Sequence, residues 1–263
     1  MHQALRMVFG KRFWGAAAMM LLCFSGYAML EWISIHNWSL DVRPSSLQQT
    51  IGGIYFGGVM LLIPLCAALP AGLIQVEEQE STFIDFCMIR GSLRKYIFQR
   101  FVAAFVSGAA TIGLAFSVHA ILWNMLATPC DSATNSYLAI PFAETCIYYN
   151  WEGVCYGLLI YLWILFWLAF CGGMWSLVSI TTAIYIPDKL MTIAIPFCIY
   201  YLWHCGLPQT ITGWHWFPHP ADLYNDALKW NMFAISLAVY IALGTICMIL
   251  YAMRLKRRYR YEA

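Results

Sequence analysis

His215 and His219 stand four residues apart in the run Gly213-Trp-His-Trp-Phe-Pro-His-Pro220. That spacing puts two imidazoles on one face of a helix, where a metal ion could be held. Pro218 and Pro220 oppose a regular helix there, because each lacks an N–H and its ring crowds the preceding turn. No Cys-x-x-Cys or His-Glu-x-x-His accompanies the pair. The segment reads instead as an aromatic, proline-stiffened stretch, and His119 and His204 as isolated hydrogen-bonding residues. Cys130 and Cys146 share one connection: they bridge if their surroundings are oxidising and stay thiols if these are reducing, with Cys155 and Cys205 as alternative partners. Cys23, Cys66, Cys171, Cys198 and Cys247 lie in apolar runs and read as small core residues. A Gly-x-x-x-x-Gly-Lys-Ser/Thr phosphate loop is missing, and Gly10-Lys11 is followed by Arg12. The expectation is a chain with no catalytic residue, metal or cofactor of its own.

The elements that carry these residues follow from composition. The chain of 263 residues is 62% apolar and 11% charged, against about half and a quarter in soluble domains. So few charges cannot solvate a globule of this size, so the solvent must be a bilayer. Six apolar stretches meet the length of about 20 residues that a bilayer core requires: Phe13–Ser34, Ile51–Ile74, Phe101–Leu126, Gly153–Thr182, Leu190–Leu207 and Asn231–Met253. The short alternating segments of a barrel are not seen. The reading is an all-α integral membrane protein of six transmembrane helices, with residues 1–263 forming one domain.

Of the 15 Lys and Arg residues, all but Arg43 and Lys229 fall in the same alternate set of connections. The positive-inside rule therefore places both termini in the cytoplasm. Eight of the 12 tryptophans, among them Trp32, Trp38, Trp123 and Trp151, fall at the opposite ends as an interfacial belt. Residues 1–12 read as a short interfacial helix, with Ala4, Leu5, Val8 and Phe9 on one face. The following apolar run is a retained anchor rather than a cleaved signal. With the basic residues serving topology, no nucleic acid partner is expected.

Apart from Glu31, no charged residue is expected well inside a span, which argues against internal ion coupling. The charge is concentrated in the internal loop of residues 75–100. There Glu77, Glu78 and Glu80 read as the first turn of a helix, where negative charge suits the macrodipole, and Arg90 as its end. Gly91 supplies a C-cap, and Ser92 caps a second helix running into the third span. Between the caps, Phe83, Ile84, Phe86, Cys87, Met88 and Ile89 leave only Asp85 polar. A helix so apolar needs cover on more than one side, and a partner protein is the natural cover.

Here the chain resembles the permease subunits of type-2 ABC exporters. The resemblance rests on Glu78-x-Glu80-Ser81, the apolar run Phe83 to Ile89, and Arg90-Gly91-Ser92-x-Arg94-Lys95-Tyr96. It extends to the interfacial start, the six-span plan and the outer aromatic segment of residues 208–230, which is re-entrant in that family. Thr82 departs from a common glycine and Arg90-Gly91 from a common proline. The resemblance implies a half-transporter in a bacterial plasma (inner) membrane that pairs with a second permease as a homodimer or heterodimer. It further implies a cytoplasmic coupling helix between spans two and three, docked on a separate ATPase subunit that binds ATP and Mg. By position, Glu78, Glu80, Phe83, Phe86 and Arg90 become coupling residues. A substrate path along spans one, two and five would offer Tyr27, Tyr55, Phe56, Met60, Tyr200 and Tyr201. That lining is aromatic and uncharged and suits a membrane-active peptide, lipid or drug.

Two other readings compete. Glu77-Glu78 resembles the start of the Glu-Glu-x-x-x-Arg motif of CAAX-type intramembrane proteases, although Thr82 occupies the arginine position. A membrane anchor or sensor that recruits an ATPase without transport fits the same sequence. Gly52-Gly53, Gly57-Gly58 and Gly172-Gly173 allow either close helix approach or local bending, and Gly53-x-x-x-Gly57 suits either a dimer seam or packing within the chain.

Overall fold

The computed structural model describes residues 10–37, 50, 59–81, 84, 92–126, 156–203 and 230–261. Among these the chain is helical: α1 (Lys11–Asn37), a 3₁₀ turn (Val59–Leu62) leading into α2 (Ile63–Glu80), α3 (Leu93–Leu126), α4 (Tyr156–Tyr185), α5 (Lys189–Tyr201) and α6 (Trp230–Tyr261). Within α1, α2 with its leading turn, α3, α4 and α6 lie five stretches long and apolar enough to cross a membrane. As described, α5 has 13 residues, fewer than a crossing needs. The outward faces carry Leu22, Met29 and Leu30 on α1 and Ile241, Ile246 and Ile249 on α6. Such faces are costly in water and at home among acyl chains. The molecule is a multi-pass helical membrane protein.

Helix α4 lies at the centre and packs against α2, α3, α5 and α6, while α1 packs on α2 and α3. Sequence explains why α3 and α4 come so close. A Cβ on Gly172 would stand 2.6 Å from Ile112 Cγ1 and 2.8 Å from the Gly108 carbonyl oxygen, and one on Gly173 would enter the Phe105 ring. Only a bare backbone fits at this crossing, which is the close approach expected of Gly172-Gly173, here within the chain. Helix α6 is held chiefly by rings. Tyr240 meets Trp167 edge-on at 5.9 Å and stacks with Trp203 at 5.8 Å, while Trp203 lies 6.2 Å from the buried Trp175.

The α4–α5 link shows a local requirement met from another element. Pro187 and Asp188 end α4's run, and the Asp188 carboxylate caps α5 by accepting from the Met191 N–H at 2.8 Å. Further along α5, Pro196, four residues after Thr192, has no N–H to give the Thr192 carbonyl. The Ser179 hydroxyl of α4 lies 3.1 Å from that oxygen and 3.3 Å from the Ala68 carbonyl of α2. Ser179, Ala68, Thr192 and Pro196 are all buried, so Ser179→Ala is expected to cost about 1–3 kcal/mol by orphaning the Thr192 carbonyl. Thermal unfolding in mild detergent measures it, and an unchanged midpoint would show that the hydroxyl is dispensable.

Three expectations change. Glu77, Glu78 and Glu80 do not open a new helix; they form the last turn of α2, because no breaker separates Ile74 from Glu80. Helix α3 begins at Leu93, eight residues before Phe101, so Arg100 lies two turns inside it. Trp123 is buried and meets Trp32 at 5.7 Å, an internal contact rather than part of an interfacial belt. Of the cysteines in apolar runs, Cys66, Cys171 and Cys247 are buried, Cys23 is half-buried, and Cys198 is exposed.

Candidate functional site

The start of α1, the end of α2, the start of α3, the turn from α4 to α5 and the end of α6 meet at one end of the bundle. The last turn of α2 organises that end. At 100° per residue, side chains at 77, 78 and 80 leave the helix in three directions. Each meets a base from a different helix. Glu77 takes a two-pronged contact from Arg12 of α1, with Nη1 donating to Oε2 at 2.9 Å and Nη2 facing Oε1. Glu78 pairs with Arg100 of α3, and Glu80 faces Lys189 of α5 at 3.6 Å. Their neighbour Gln79 donates its Nε2 to the Ala183 carbonyl at 2.9 Å and so satisfies the last turn of α4.

Three carboxylates at a helix C-terminus oppose the macrodipole. Their basic partners remove that conflict, and the three pairs differ sharply in weight. Glu80 and Lys189 are each 55% exposed, a surface pair worth at most about 1 kcal/mol. Arg12 and Glu77 are partly exposed, but their fork geometry restricts them to one arrangement. Arg100 is 5% and Glu78 13% exposed, so both charges are withdrawn from water and each depends on the other.

The buried pair extends into a network across three helices. Arg100 Nε donates to Gln75 Oε1 of α2 at 2.9 Å, and the Tyr251 hydroxyl of α6 donates to the same oxygen at 3.1 Å. Tyr251 also packs edge-on against Phe101 at 5.3 Å. The Gln75 Nε2 atom has no partner among the described residues. Arg100 escaped notice in the sequence because its charge ends an apolar window. The stripe Ile97, Arg100, Phe101, Ala104, all buried, is the signal that places it on an inward face.

This arrangement ties the last turn of α2 to three neighbouring helices through charged side chains. The Glu77 and Glu78 carboxylates are engaged by guanidinium groups, and no cluster of three or more His, Cys, Asp or Glu able to hold a metal ion occurs among the described residues. Displacing α2 relative to α1, α3 or α5 strains an ion pair in each case.

Of the expected coupling residues, Glu78 and Glu80 are thus brought into this end, next to the segment that joins α2 to α3. Phe83, Phe86 and Arg90 lie outside the described residues, as do Tyr55, Phe56, Cys130, Cys146, His204, His215 and His219, the interfacial stretch up to residue 9, and residues 208–229. Tyr27 belongs to α1, with its side chain outside the described set. Met60 and Tyr200 are both in the buried core, Tyr200 edge-on to Trp175 at 5.3 Å. Tyr201 points outward and stacks on Phe197 at 6.2 Å, apart from those two. His119 is buried far along α3, its Nδ1 3.2 Å from the Ser25 hydroxyl of α1 and its ring 5.6 Å from Phe24.

No protein-family model, curated protein or solved structure matches the chain.

Proposed function

We propose that this chain is the transmembrane permease subunit of an ATP-driven type-2 exporter, moving a hydrophobic or amphipathic molecule after docking a separate ATPase. In this reading the chain crosses the membrane six times, with α5 and the residues after it forming the fifth crossing. Both termini and the ion-paired end face the cytoplasm, and the membrane is a bacterial plasma membrane. A second permease completes the transporter.

The observation that carries the reading is the three-way pairing of the last turn of α2. An ATPase that grips the segment between Ser81 and Ser92 pulls on that turn directly. Through Glu77, Glu78 and Glu80 the displacement reaches α1, α3 and α5. This is the linkage a transporter needs when nucleotide hydrolysis takes place on another subunit. Fixed side-chain pairs between rigid helices transmit such a displacement because packed helices slide or tilt as bodies.

The protease reading loses support on the same geometry. Glu77 and Glu78 are held by arginines, whereas His119 sits 19 residues from Arg100 along α3, about 28 Å at the rise of an α-helix. A general base and a metal-binding histidine so far apart cannot share one water molecule.

The test is replacement of Phe83 and Phe86 by Ala, followed by mild solubilisation from native membranes. The double variant is expected to insert normally and to lose the co-purifying ATPase activity, at least tenfold if the two rings anchor the interface. ATPase retained at the wild-type level would sink the permease assignment.

A further inference from the structure

An open groove of about 380 Å³ runs between the end of α4 and the end of α6, lined among others by Gln79, Tyr185, Pro187, Arg254, Arg257 and Arg258. Its wall is basic. Arg254 lies over the Tyr185 ring at 5.6 Å, which holds its guanidinium at the mouth of the groove, and the Tyr185 hydroxyl is fixed by donating to the Leu250 carbonyl at 3.0 Å. Two described carboxylates at this end are engaged elsewhere: Glu80 faces Lys189, and Asp188 caps α5. The ion pairs of the described residues include neither Arg254 nor Arg257.

The approach to the groove is apolar. Ile246, Ile249, Leu250 and Met253 are all exposed on α6, at the spacing of one helix face, and Arg257 continues that face by one more turn. From Ile246 to Met253 the apolar stripe rises about 10 Å, within the roughly 15 Å depth of one leaflet's hydrocarbon. An apolar stripe that ends within one turn of two guanidinium groups matches the upper part of an acyl chain and the headgroup of a phospholipid lying along the helix. A soluble anion has no use for the stripe.

We infer that the groove binds the phosphate headgroup of an anionic phospholipid, with Arg254 and Arg257 contacting the phosphate and the α6 stripe lying along an acyl chain. Basic pockets between membrane helices serve this purpose generally, each basic side chain adding attraction to the anionic surface. The lipid then covers the flank of α6, of whose apolar span only 17% is buried within the protein. This inference does not depend on the transport reading, since it requires only that α4 and α6 end together at a membrane surface.

The full-length protein in mild detergent is incubated with phosphatidylglycerol or phosphatidylcholine and the retained lipid is counted by native mass spectrometry. Phosphatidylglycerol is expected to be retained about tenfold more than phosphatidylcholine. Arg254→Gln with Arg257→Gln removes about tenfold of that retention, and Arg257→Gln alone, on an exposed side chain, removes about threefold. Arg94→Gln with Lys95→Gln, two exposed bases at the same end, leaves retention unchanged. Equal retention of the two lipids overturns the site, as does an equal loss in the Arg94/Lys95 variant, which would mean diffuse attraction. Displacement of the lipid by millimolar inorganic phosphate would assign the groove to a soluble anion and overturn the lipid.

Discussion

Arg100→Met is expected to destabilise the protein by about 3–5 kcal/mol, and Arg100→Met combined with Glu78→Met to recover most of that loss. The single change leaves the Glu78 carboxylate, 13% exposed, without its base. It also takes the Nε donor from Gln75 Oε1, although the Tyr251 hydroxyl still serves that oxygen. Removing both charges replaces a buried ion pair with apolar volume, which in buried pairs is commonly neutral or favourable. Thermal unfolding followed by size-exclusion chromatography reads the stabilities of the four proteins in the cycle. A double variant as unstable as Arg100→Met would show that Arg100 acts through something other than Glu78. If the pair exists to transmit movement, the restored double variant should remain deficient in ATPase coupling.

Gly108→Val is expected to lower stability by about 3 kcal/mol or more and to abolish a monodisperse folded peak. The added Cβ would collide with the Gly172 backbone, and a backbone carbonyl cannot turn aside as a flexible side chain can. Helices α3 and α4 would have to separate, and α4 also carries the packing of α2, α5 and α6. Gly15→Ala is the matched control, since nothing lies within 4 Å of a Cβ there. That change should be neutral or slightly stabilising, because alanine loses less backbone freedom in a helix. If both variants fold alike, the close crossing is not a constraint on the fold.

The helices were legible because bilayer thickness imposes a length that few other causes produce. The apolar runs of α1, α3, α4 and α6 show it directly, and the Ser92 hydroxyl lies 3.4 Å from the Lys95 N–H at the start of α3, where a cap was expected. The polar end was harder to read. Acidic residues favour the first turn of a helix, and that preference alone makes Glu77, Glu78 and Glu80 look like a beginning. Tertiary pairing overrides it, and pairing between residues 12 and 77 or 78 and 100 leaves no periodic trace in the chain. Arg100 was hidden for a related reason: hydropathy counts a charge against a span without asking what stands opposite it. Gly172-Gly173 was legible as a point of close approach, whereas Gly108, a lone glycine in an apolar run, carried no such signal. The apolar run from Phe83 to Ile89 remains the sequence's main pointer to a partner.

The order of the partners along the chain bears on biosynthesis. Gln75 and Glu78 leave the ribosome before Arg100, on the helix that immediately precedes it. The Arg100–Glu78 pair can therefore form within α2 and α3 alone, before α4 to α6 are made, so neither charge need wait unpaired for a later helix. Tyr251, the last member of the network, arrives with α6.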